Sequence, residues 1–245
     1  MMSSSYPGDE LALFATATNW KAYLGALLAS HVGGRVMEVG AGIGATTEAL
    51  LNEHVERWLC LEPDQRLADR CARRIVDLRV TVAVGTIADV PLDRSFDTIL
   101  YIDVLEHVPD DVAELHHAAR HLAPLGKLVI LSPAYEVLTS AFDRAIGHHR
   151  RYDKRSLAAA VPPFLRRDRL FYCDSVGALL SLANRLMLHQ SRPSAAQIGL
   201  WDRFVVPLST HVDQMVRYSF GRSVIAIYHL PEEGALADHG GARSR

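Results

Sequence analysis

The sequence predicts an α/β protein in which helices cover both faces of a doubly wound, mostly parallel sheet. Five apolar segments of strand length alternate with helical segments between residues 34 and 133, an alternation typical of βαβ units. The first apolar segment ends in a glycine-rich turn at residues 40–44 that leads directly into a helix. Of the 245 residues, 49% are hydrophobic and 22% are charged, which is an ordinary balance for a globular domain.

The predicted elements follow one another at short and regular intervals. Strands are predicted at residues 35–39, 58–61, 79–84, 96–102 and 126–133, and two more at 170–173 and 224–228. Helices are predicted at residues 9–31, 64–74, 110–122 and 153–161, with a helical insertion at 175–218 before the last strand. Parallel strands need helical crossovers of this kind. We therefore expect a seven-stranded sheet with an N-terminal helix in front of it.

This pattern divides the chain into three parts. Residues 1–32 form an N-terminal helical cap, and residues 33–230 form the main domain. Residues 231–245 are polar and rich in small residues, so we expect a tail without fixed structure. Within the main domain, residues 134–220 depart from the regular alternation and are expected to cover a substrate.

Composition argues against several kinds of partner. The formal net charge is −2, with acids and bases interspersed, which is not the pattern of a nucleic-acid-binding protein. Apolar stretches stop well short of membrane-spanning length, and the N-terminus lacks the features of a secretory signal. Three cysteines without metal-ligand spacing indicate a reducing compartment. We expect a cytoplasmic protein, either a monomer or a homodimer.

The glycine-rich turn is the strongest chemical signal in the chain. Gly40, Gly42 and Gly44 follow an acid, Glu38, at the end of an apolar strand. Glycine permits a positive φ and lets a ligand approach the backbone, and the helix that follows offers free N–H groups. Three interpretations stay open: a structural turn, a dinucleotide site with Glu62 on the ribose, or a site for S-adenosylmethionine.

The chain resembles the class I S-adenosylmethionine-dependent methyltransferases. Within that class it is most similar to the small-molecule enzymes of the methyltransferase domain 11 or 12 type. The resemblance spans residues 33–135 and is carried, in order, by EVGAGIG (38–44), LEPD (61–64), FDTI (96–99), VLEHV (104–108) and LAPLGKL (122–128). It implies a Rossmann-like methyltransferase fold, a final hairpin with one antiparallel strand, and S-adenosyl-L-methionine as cofactor. A dehydrogenase is not expected to carry Glu38 before the turn.

The resemblance also implies which residues bind the cofactor. They follow the first four strands, and they are Glu38, Gly40, Ala41, Gly42, Gly44, Glu62, Pro63, Thr86, Ile87, Ile102 and Asp103. In this scheme Glu62 accepts the ribose hydroxyls as a charged acceptor, and Glu38 orients the turn. Relatives often have Gly-Asp-Ala after the third strand, where this chain has Gly-Thr-Ile. The adenine contacts are therefore assigned to the Thr86 hydroxyl and the Ile87 N–H, with Asp89 as the alternative acid.

Methyl transfer requires that the acceptor atom be aligned with the methyl group and, for a hydroxyl or carbon acid, that it lose a proton. The catalytic candidates are His148, in the run Gly-His-His-Arg-Arg-Tyr after the fifth strand, His107, in Leu-Glu-His, and Tyr152. We favour His148, because imidazole titrates near neutrality and Gly147 permits a sharp turn before it. Structural roles for His107 and for the two arginines stay open.

No metal site is expected from the sequence. His117 and His121 have helical i, i+4 spacing, but they lack a third ligand and are predicted to face solvent. The predicted activity is transfer of a methyl group to a small-molecule acceptor in a biosynthetic pathway, most simply a specialised metabolite. The alternatives are a methyltransferase for a sugar or lipid-linked glycan precursor, an NAD(P)-binding oxidoreductase, and a non-catalytic cofactor-binding partner of another enzyme.

Overall fold

A computed structural model describes residues 9–187 and 194–232 of the chain. The first residues of the predicted cap and most of the predicted tail therefore lie outside the described residues. The strands are β1 Gly34–Val39, β2 Val55–Glu62, β3 Val80–Val84, β4 Phe96–Ile102, β5 Leu122–Pro133, β6 Arg166–Cys173 and β7 Ser223–His229. They form a seven-stranded sheet in the order β3-β2-β1-β4-β5-β7-β6. Neighbours from β3 to β5 are parallel, and β7 is antiparallel to both β5 and β6, which confirms the predicted fold class.

Helices cover both faces of this sheet. They are α1 Asp9–Phe14, α2 Thr18–Leu28, α3 Ala45–Leu50, α4 Gln65–Arg74, α5 Asp111–Ala119, α6 Ala141–Ala145, α7 Lys154–Ala160, α8 Ser175–Met187, α9 Ala195–Leu200 and α10 Val206–Met215. A π-helical turn, Trp201–Val205, joins α9 to α10. The helical insertion predicted before the last strand thus comprises α8 to α10. Over the described ranges, no helix combines the length and the apolar character needed to cross a membrane.

The core consists of two layers, one on each face of the sheet. Along β1, Met37 and Val39 pack into one layer, whereas Val36 packs into the other, as the alternation of a strand requires. Because both faces are covered, the central strands are apolar on both sides and read as continuous hydrophobic runs. The carboxyl ends of the parallel strands are left to form the functional edge of the sheet.

The N-terminal cap differs from its prediction. A single helix over residues 9–31 is wrong, because the chain breaks after α1 and restarts as α2. The carboxylate of Asp202 accepts hydrogen bonds from the backbone N–H groups of Asn19, at 3.2 Å, and Trp20, at 2.8 Å. These groups at the start of α2 would otherwise lack a partner in the helix. The start of α2 is therefore stabilised by a side chain from the helical insertion.

A second buried network fastens the helical insertion to the sheet. Asp213 accepts from the Tyr23 hydroxyl at 2.6 Å and from the two backbone N–H groups that follow β6, at 2.7 and 2.8 Å. Asp174 accepts from Trp201 Nε1 at 3.0 Å and from Ser209 Oγ at 2.7 Å. Both acids are fully buried, and hydrogen-bonded buried acids of this kind are costly to disturb. The cap and the insertion are consequently held to each other and to the end of β6.

Candidate functional site

The glycine-rich turn after β1 has the backbone conformation that its sequence predicts. The φ angles are +68° at Gly40, +55° at Gly42 and +79° at Gly44, a region that favours glycine. A Cβ at Gly40 or Gly44 would lie 2.6 or 2.8 Å from a neighbouring side chain, so these two glycines are needed by the turn itself. A Cβ at Gly42 would meet Leu11 of α1 at 3.4 Å. Gly42 is itself buried, so Leu11 of the N-terminal cap covers the turn at this position.

Glu62, at the end of β2, ties this turn to the neighbouring strand. Its side chain is buried, with Oε2 accepting from Gly42 N at 2.8 Å and Oε1 accepting from Asp64 N at 3.0 Å. Burial raises the pKa of the Glu62 carboxyl above its ordinary value. Each oxygen has a second lone-pair direction, so the carboxylate can also accept from ligand hydroxyls. The ribose contact stays a prediction, and the contact with the turn is a role that the sequence did not indicate.

Glu38 is the second buried acid at this edge. Its Oε2 accepts from Thr47 Oγ1 at 2.5 Å and from Trp58 Nε1 at 3.0 Å. Thr47 lies in the first turns of α3, so Glu38 joins β1 to the helix on the far side of the glycine turn. Burial raises the pKa of Glu38 to about 7, although both hydrogen bonds oppose the shift. These contacts agree with the predicted orienting role.

In the loop after β3, the acid Asp89 accepts hydrogen bonds from a residue of the same loop. Asp89 Oδ2 accepts from the backbone N–H of Thr86 at 2.8 Å and from its hydroxyl at 3.0 Å. The pair forms a capping box on the short 3₁₀ turn Ile87–Asp89. Because the Thr86 hydroxyl donates its proton to Asp89, it keeps only acceptor capacity for a ligand. Thr86 and Ile87 remain the predicted adenine contacts, and Asp89 is the residue that positions them.

Asp103 follows β4 with a φ of +55° and has an exposed side chain. Desolvation nevertheless raises the pKa of its carboxyl to about 6, against the opposing influence of His148, Arg222 and Arg151. A side chain that is accessible to solvent and yet largely surrounded by protein lies in a concave part of the surface. Asp103, Gly42 and Glu62 all lie at the carboxyl ends of parallel strands, where the sequence predicts a cofactor that carries both an amino-acid and a ribose moiety.

Three candidate groups for chemistry meet where β4 and β5 end. Glu106 is fully buried, and neither of its carboxylate oxygens has an aligned hydrogen-bond partner among the described residues. His148 Nε2 lies 3.9 Å from Glu106 Oε1, and His148 Nδ1 lies 3.0 Å from Asp143 Oδ1. The rings of His107 and His148 meet edge to face, with 4.6 Å between their centroids. The structure thus brings the two predicted histidines together around an acid that the sequence did not single out.

The electrostatics of this group follow from burial. Desolvation raises the pKa of Glu106 well above its usual range, and the Asp103 carboxylate adds to the shift. Desolvation together with His148 and His149 lowers the pKa of His107 to about 4, so this imidazole is neutral at physiological pH. For Asp143, burial acts to raise the pKa, but His148 and a neighbouring arginine outweigh it and hold the pKa below its ordinary value.

The Arg-Arg-Tyr part of the motif is structural. The Tyr152 side chain lies in the core, and its hydroxyl donates to Asp111 Oδ2 at 2.7 Å. Arg150 Nη1 lies 2.7 Å from the other oxygen of Asp111, and Arg151 Nη2 lies 2.7 Å from Asp143 Oδ1. The Tyr152 hydroxyl is therefore engaged by Asp111, and its catalytic role stays a prediction. These three residues fasten the segment that presents His148.

His117 and His121 do lie side by side, with ring centroids 5.5 Å apart. The prediction that both face solvent is wrong for His121, which is fully buried beyond the end of α5. Its Nδ1 lies 3.1 Å from the carbonyl oxygen of Arg94. The periodicity of the predicted helix did not reveal this because α5 ends at Ala119, before His121 is reached.

Comparison with known proteins places these features in a family context. The family model described as "Methyltransferase domain" matches residues 37–130, which run from β1 to β5 and include the glycine turn, Glu62 and Glu106. The chain is 30% identical over 131 residues to the 27-O-demethylrifamycin SV methyltransferase of Amycolatopsis mediterranei, covering 51% of this chain and 48% of that protein. It is 32% identical over 101 residues to a ubiquinone biosynthesis O-methyltransferase of Xanthomonas oryzae pv. oryzae, covering 40% of this chain and 42% of that protein.

Solved structures share the fold over a longer stretch. The N-methyltransferase NodS from Bradyrhizobium japonicum WM9, in complex with S-adenosyl-L-homocysteine, superposes with a TM-score of 0.54 at 17% identity, covering 94% of this chain and 90% of that chain. The curated relatives above are matched over less than half of their own length. The segment that carries His148 lies beyond the residues that the family model matches.

Proposed function

We propose that the protein is a class I S-adenosylmethionine-dependent methyltransferase that transfers a methyl group from this cofactor to a small-molecule acceptor, because the model of a methyltransferase domain matches residues 37–130. The observation that supports the acceptor class is the enclosure of the group formed by Glu106, His107 and His148. The His148 side chain is 8% exposed and that of Glu106 is 0% exposed. An acceptor that reaches this group has to enter a recess, which suits a small molecule better than a folded macromolecule.

The residues at the sheet edge have distinct tasks in this proposal. S-adenosylmethionine supplies a methyl group that is already activated on a sulfonium, so the protein chiefly has to hold and align the reactants. Glu62 accepts from the ribose hydroxyls through the lone pairs that the backbone leaves free. The backbone of the glycine turn around Gly42 lies against the methionine part, and Asp103 faces the amino group. Thr86 and Ile87 lie against the adenine.

A hydroxyl is the acceptor atom that the relatives favour. Of the curated relatives described above, one is named for 27-O-demethylrifamycin SV, and the other is named an O-methyltransferase of ubiquinone biosynthesis. A neutral hydroxyl is a weak nucleophile, so the rate of methyl transfer to its oxygen depends on removal or weakening of the O–H bond. Among the described residues, the group of Glu106, His107 and His148 offers the chemistry for this task beside the cofactor edge. We therefore propose a hydroxylated specialised metabolite as the acceptor and His148 as the residue nearest to its proton.

The location we propose is the cytoplasm. All three cysteines, Cys60, Cys71 and Cys173, are buried free thiols, and structural thiols that stay reduced are typical of a reducing compartment.

A labelling experiment tests the proposal. The protein is incubated with a cell extract and S-adenosylmethionine that carries an isotopically labelled methyl group, and small molecules are then analysed by mass spectrometry. We expect one or a few hydroxylated metabolites to gain a single labelled methyl, and His148→Ala to reduce that gain. Label in a lipid-linked glycan fraction would instead favour that alternative acceptor. Label confined to protein or nucleic acid, or no labelled product at all, contradicts the proposal.

A further inference from the structure

We propose that Glu106, His107 and His148 form a binding site for one divalent transition-metal cation at the carboxyl ends of β4 and β5. One ligand atom from each of these residues lies within 4.8 Å of the other two. Metal–ligand bonds of about 2.0–2.2 Å set ligand atoms about 3 to 4 Å apart, so small side-chain rotations are enough to close the triangle. Two imidazole nitrogens and one carboxylate oxygen suit manganese, iron, cobalt, nickel or zinc better than magnesium or calcium.

Glu106 provides the main argument for a cation. Its side chain is fully buried, and its ion-pair contact within the described residues is His148 Nε2 at 3.9 Å, which is longer than a hydrogen bond. The Ser132 hydroxyl and the backbone N–H of Glu106 lie close enough to lower the pKa of the carboxyl, but neither is aligned to donate a hydrogen bond to its oxygens. Buried carboxylates in proteins are normally paired, hydrogen-bonded or coordinated to a metal. A bound cation supplies the partner that this side chain lacks.

The two histidines are held in the manner of metal ligands. His148 Nδ1 lies 3.0 Å from Asp143 Oδ1, somewhat off the N–H direction, which favours the proton on Nδ1 and leaves the lone pair on Nε2. His107 hydrogen-bonds to the backbone of Ile146 and Gly147. Metal-binding histidines usually donate one ring N–H to a carboxylate or a backbone carbonyl, and this contact fixes both the tautomer and the ring. Both rings here carry such an outer contact.

The charges around the group leave room for a cation. Arg151 and Arg222 lie near enough to act on this cluster, but each is paired elsewhere. Arg151 Nη2 lies 2.7 Å from Asp143 Oδ1, and Arg222 Nε lies 3.6 Å from Asp174 Oδ2. Both of these guanidinium groups are therefore engaged by carboxylates other than Glu106. The Asp103 carboxylate also faces Glu106 and His148.

A cation at this position deepens the proposed function, on which this part of the inference rests. With its Nε2 on the cation, His148 would act on the acceptor hydroxyl through the bound cation instead of accepting the proton itself. The cation lies beside the expected acceptor site, where a hydroxyl that coordinates a cation ionises at a lower pH than a free hydroxyl. Binding of the cation itself does not depend on methyl transfer. The metal site and the methyltransferase activity can therefore be tested separately.

Cobalt(II) is a suitable probe because its visible absorption reports the ligands. The full chain is freed of metal with a chelator and titrated with Co²⁺. We expect one bound Co²⁺ per chain with a spectrum of nitrogen and oxygen ligands, and without the thiolate charge-transfer absorption that binding to cysteine produces. His148→Ala and Glu106→Gln should each weaken Co²⁺ binding at least about 10-fold, and Asp143→Asn about 10-fold through the orientation of His148.

His117→Ala is the matched control, since it removes a histidine whose ring stacks on another histidine, His121, outside the proposed site, and should leave Co²⁺ affinity unchanged. S-adenosylhomocysteine binding by each variant verifies that it is folded. Absence of stoichiometric Co²⁺ binding, or equal affinity in His148→Ala and the wild type, overturns the inference. If the chelated protein transfers methyl groups and also fails to bind added Co²⁺, the metal site is contradicted and the proposed function stays intact. Co²⁺ binding at these residues without methylation of any acceptor supports the site and contradicts the function.

Discussion

Glu62→Ala should weaken cofactor binding by an amount that can be worked out from its contacts. The substitution removes the carboxylate that accepts from Gly42 N and Asp64 N at 2.8 and 3.0 Å, and with it the proposed ribose acceptor. A hydrogen bond to a charged group contributes about 1.5–3 kcal/mol. Loss of one such bond to the ligand raises the Kd about 10- to 150-fold, since about 1.4 kcal/mol corresponds to a factor of ten. Calorimetric titration with S-adenosylhomocysteine measures this change.

The neighbouring acid gives the control for this experiment. Asp64 lies two residues further along, and its carboxylate accepts from Arg66 N and Leu67 N at 2.8 and 3.3 Å as the N-cap of α4. Asp64→Ala should therefore lower the free energy of unfolding through loss of this cap and leave the Kd for S-adenosylhomocysteine unchanged. An unchanged Kd in Glu62→Ala, or an equal loss of affinity in both variants, refutes the role assigned to Glu62.

Three further predictions test the base, the turn and the buried acid. His148→Ala should lower kcat and leave the Kd for S-adenosylhomocysteine unchanged; full turnover removes it from the mechanism. Gly44→Ala places a Cβ 2.8 Å from Cys71 Sγ at a φ of +79°, so it should lower the free energy of unfolding by more than about 1 kcal/mol. The control is Gly199→Ala, because a Cβ there meets open space. This variant should raise the free energy of unfolding by about 0.4–1 kcal/mol. Burial raises the pKa of Glu38 from 4.5 to about 7, so the native state binds the extra proton and stability should fall as pH rises across that window. Urea unfolding at several pH values should show this slope in the wild type and not in Glu38→Gln; equal slopes contradict it.

Local patterns in the sequence were sufficient for most of the fold. The alternation of apolar segments and capped helices defines βαβ units, and the polar residues Asp64 and Asp110 cap the helices that they precede. The single N-terminal helix was wrong because the cap of α2 comes from Asp202, more than 180 residues away. A contact between residues so far apart leaves no periodic signal near residue 18. The same holds for His121, whose burial depends on the carbonyl of Arg94.

The residues of the candidate site show the same difference between local and long-range features. Gly42 and Glu62 could be predicted because turn chemistry and strand-end acids are local features, and the structure joins them directly at 2.8 Å. Glu106 stood within a segment that was already recognised, but its lack of a hydrogen-bond partner becomes visible only when β4 and β5 and the 146–149 segment are brought together. Asp143 offered no signal at all, since its role depends on the position of His148.

The central claim, that the glycine turn holds S-adenosylmethionine rather than a dinucleotide, is tested most directly by calorimetry on the wild-type chain. S-adenosylhomocysteine and NAD⁺ are titrated separately into the same protein under the same conditions. We expect S-adenosylhomocysteine to bind with one site per chain and a Kd in the micromolar range, and NAD⁺ to give no saturable heat. Saturable binding of NAD⁺ with no binding of S-adenosylhomocysteine contradicts it.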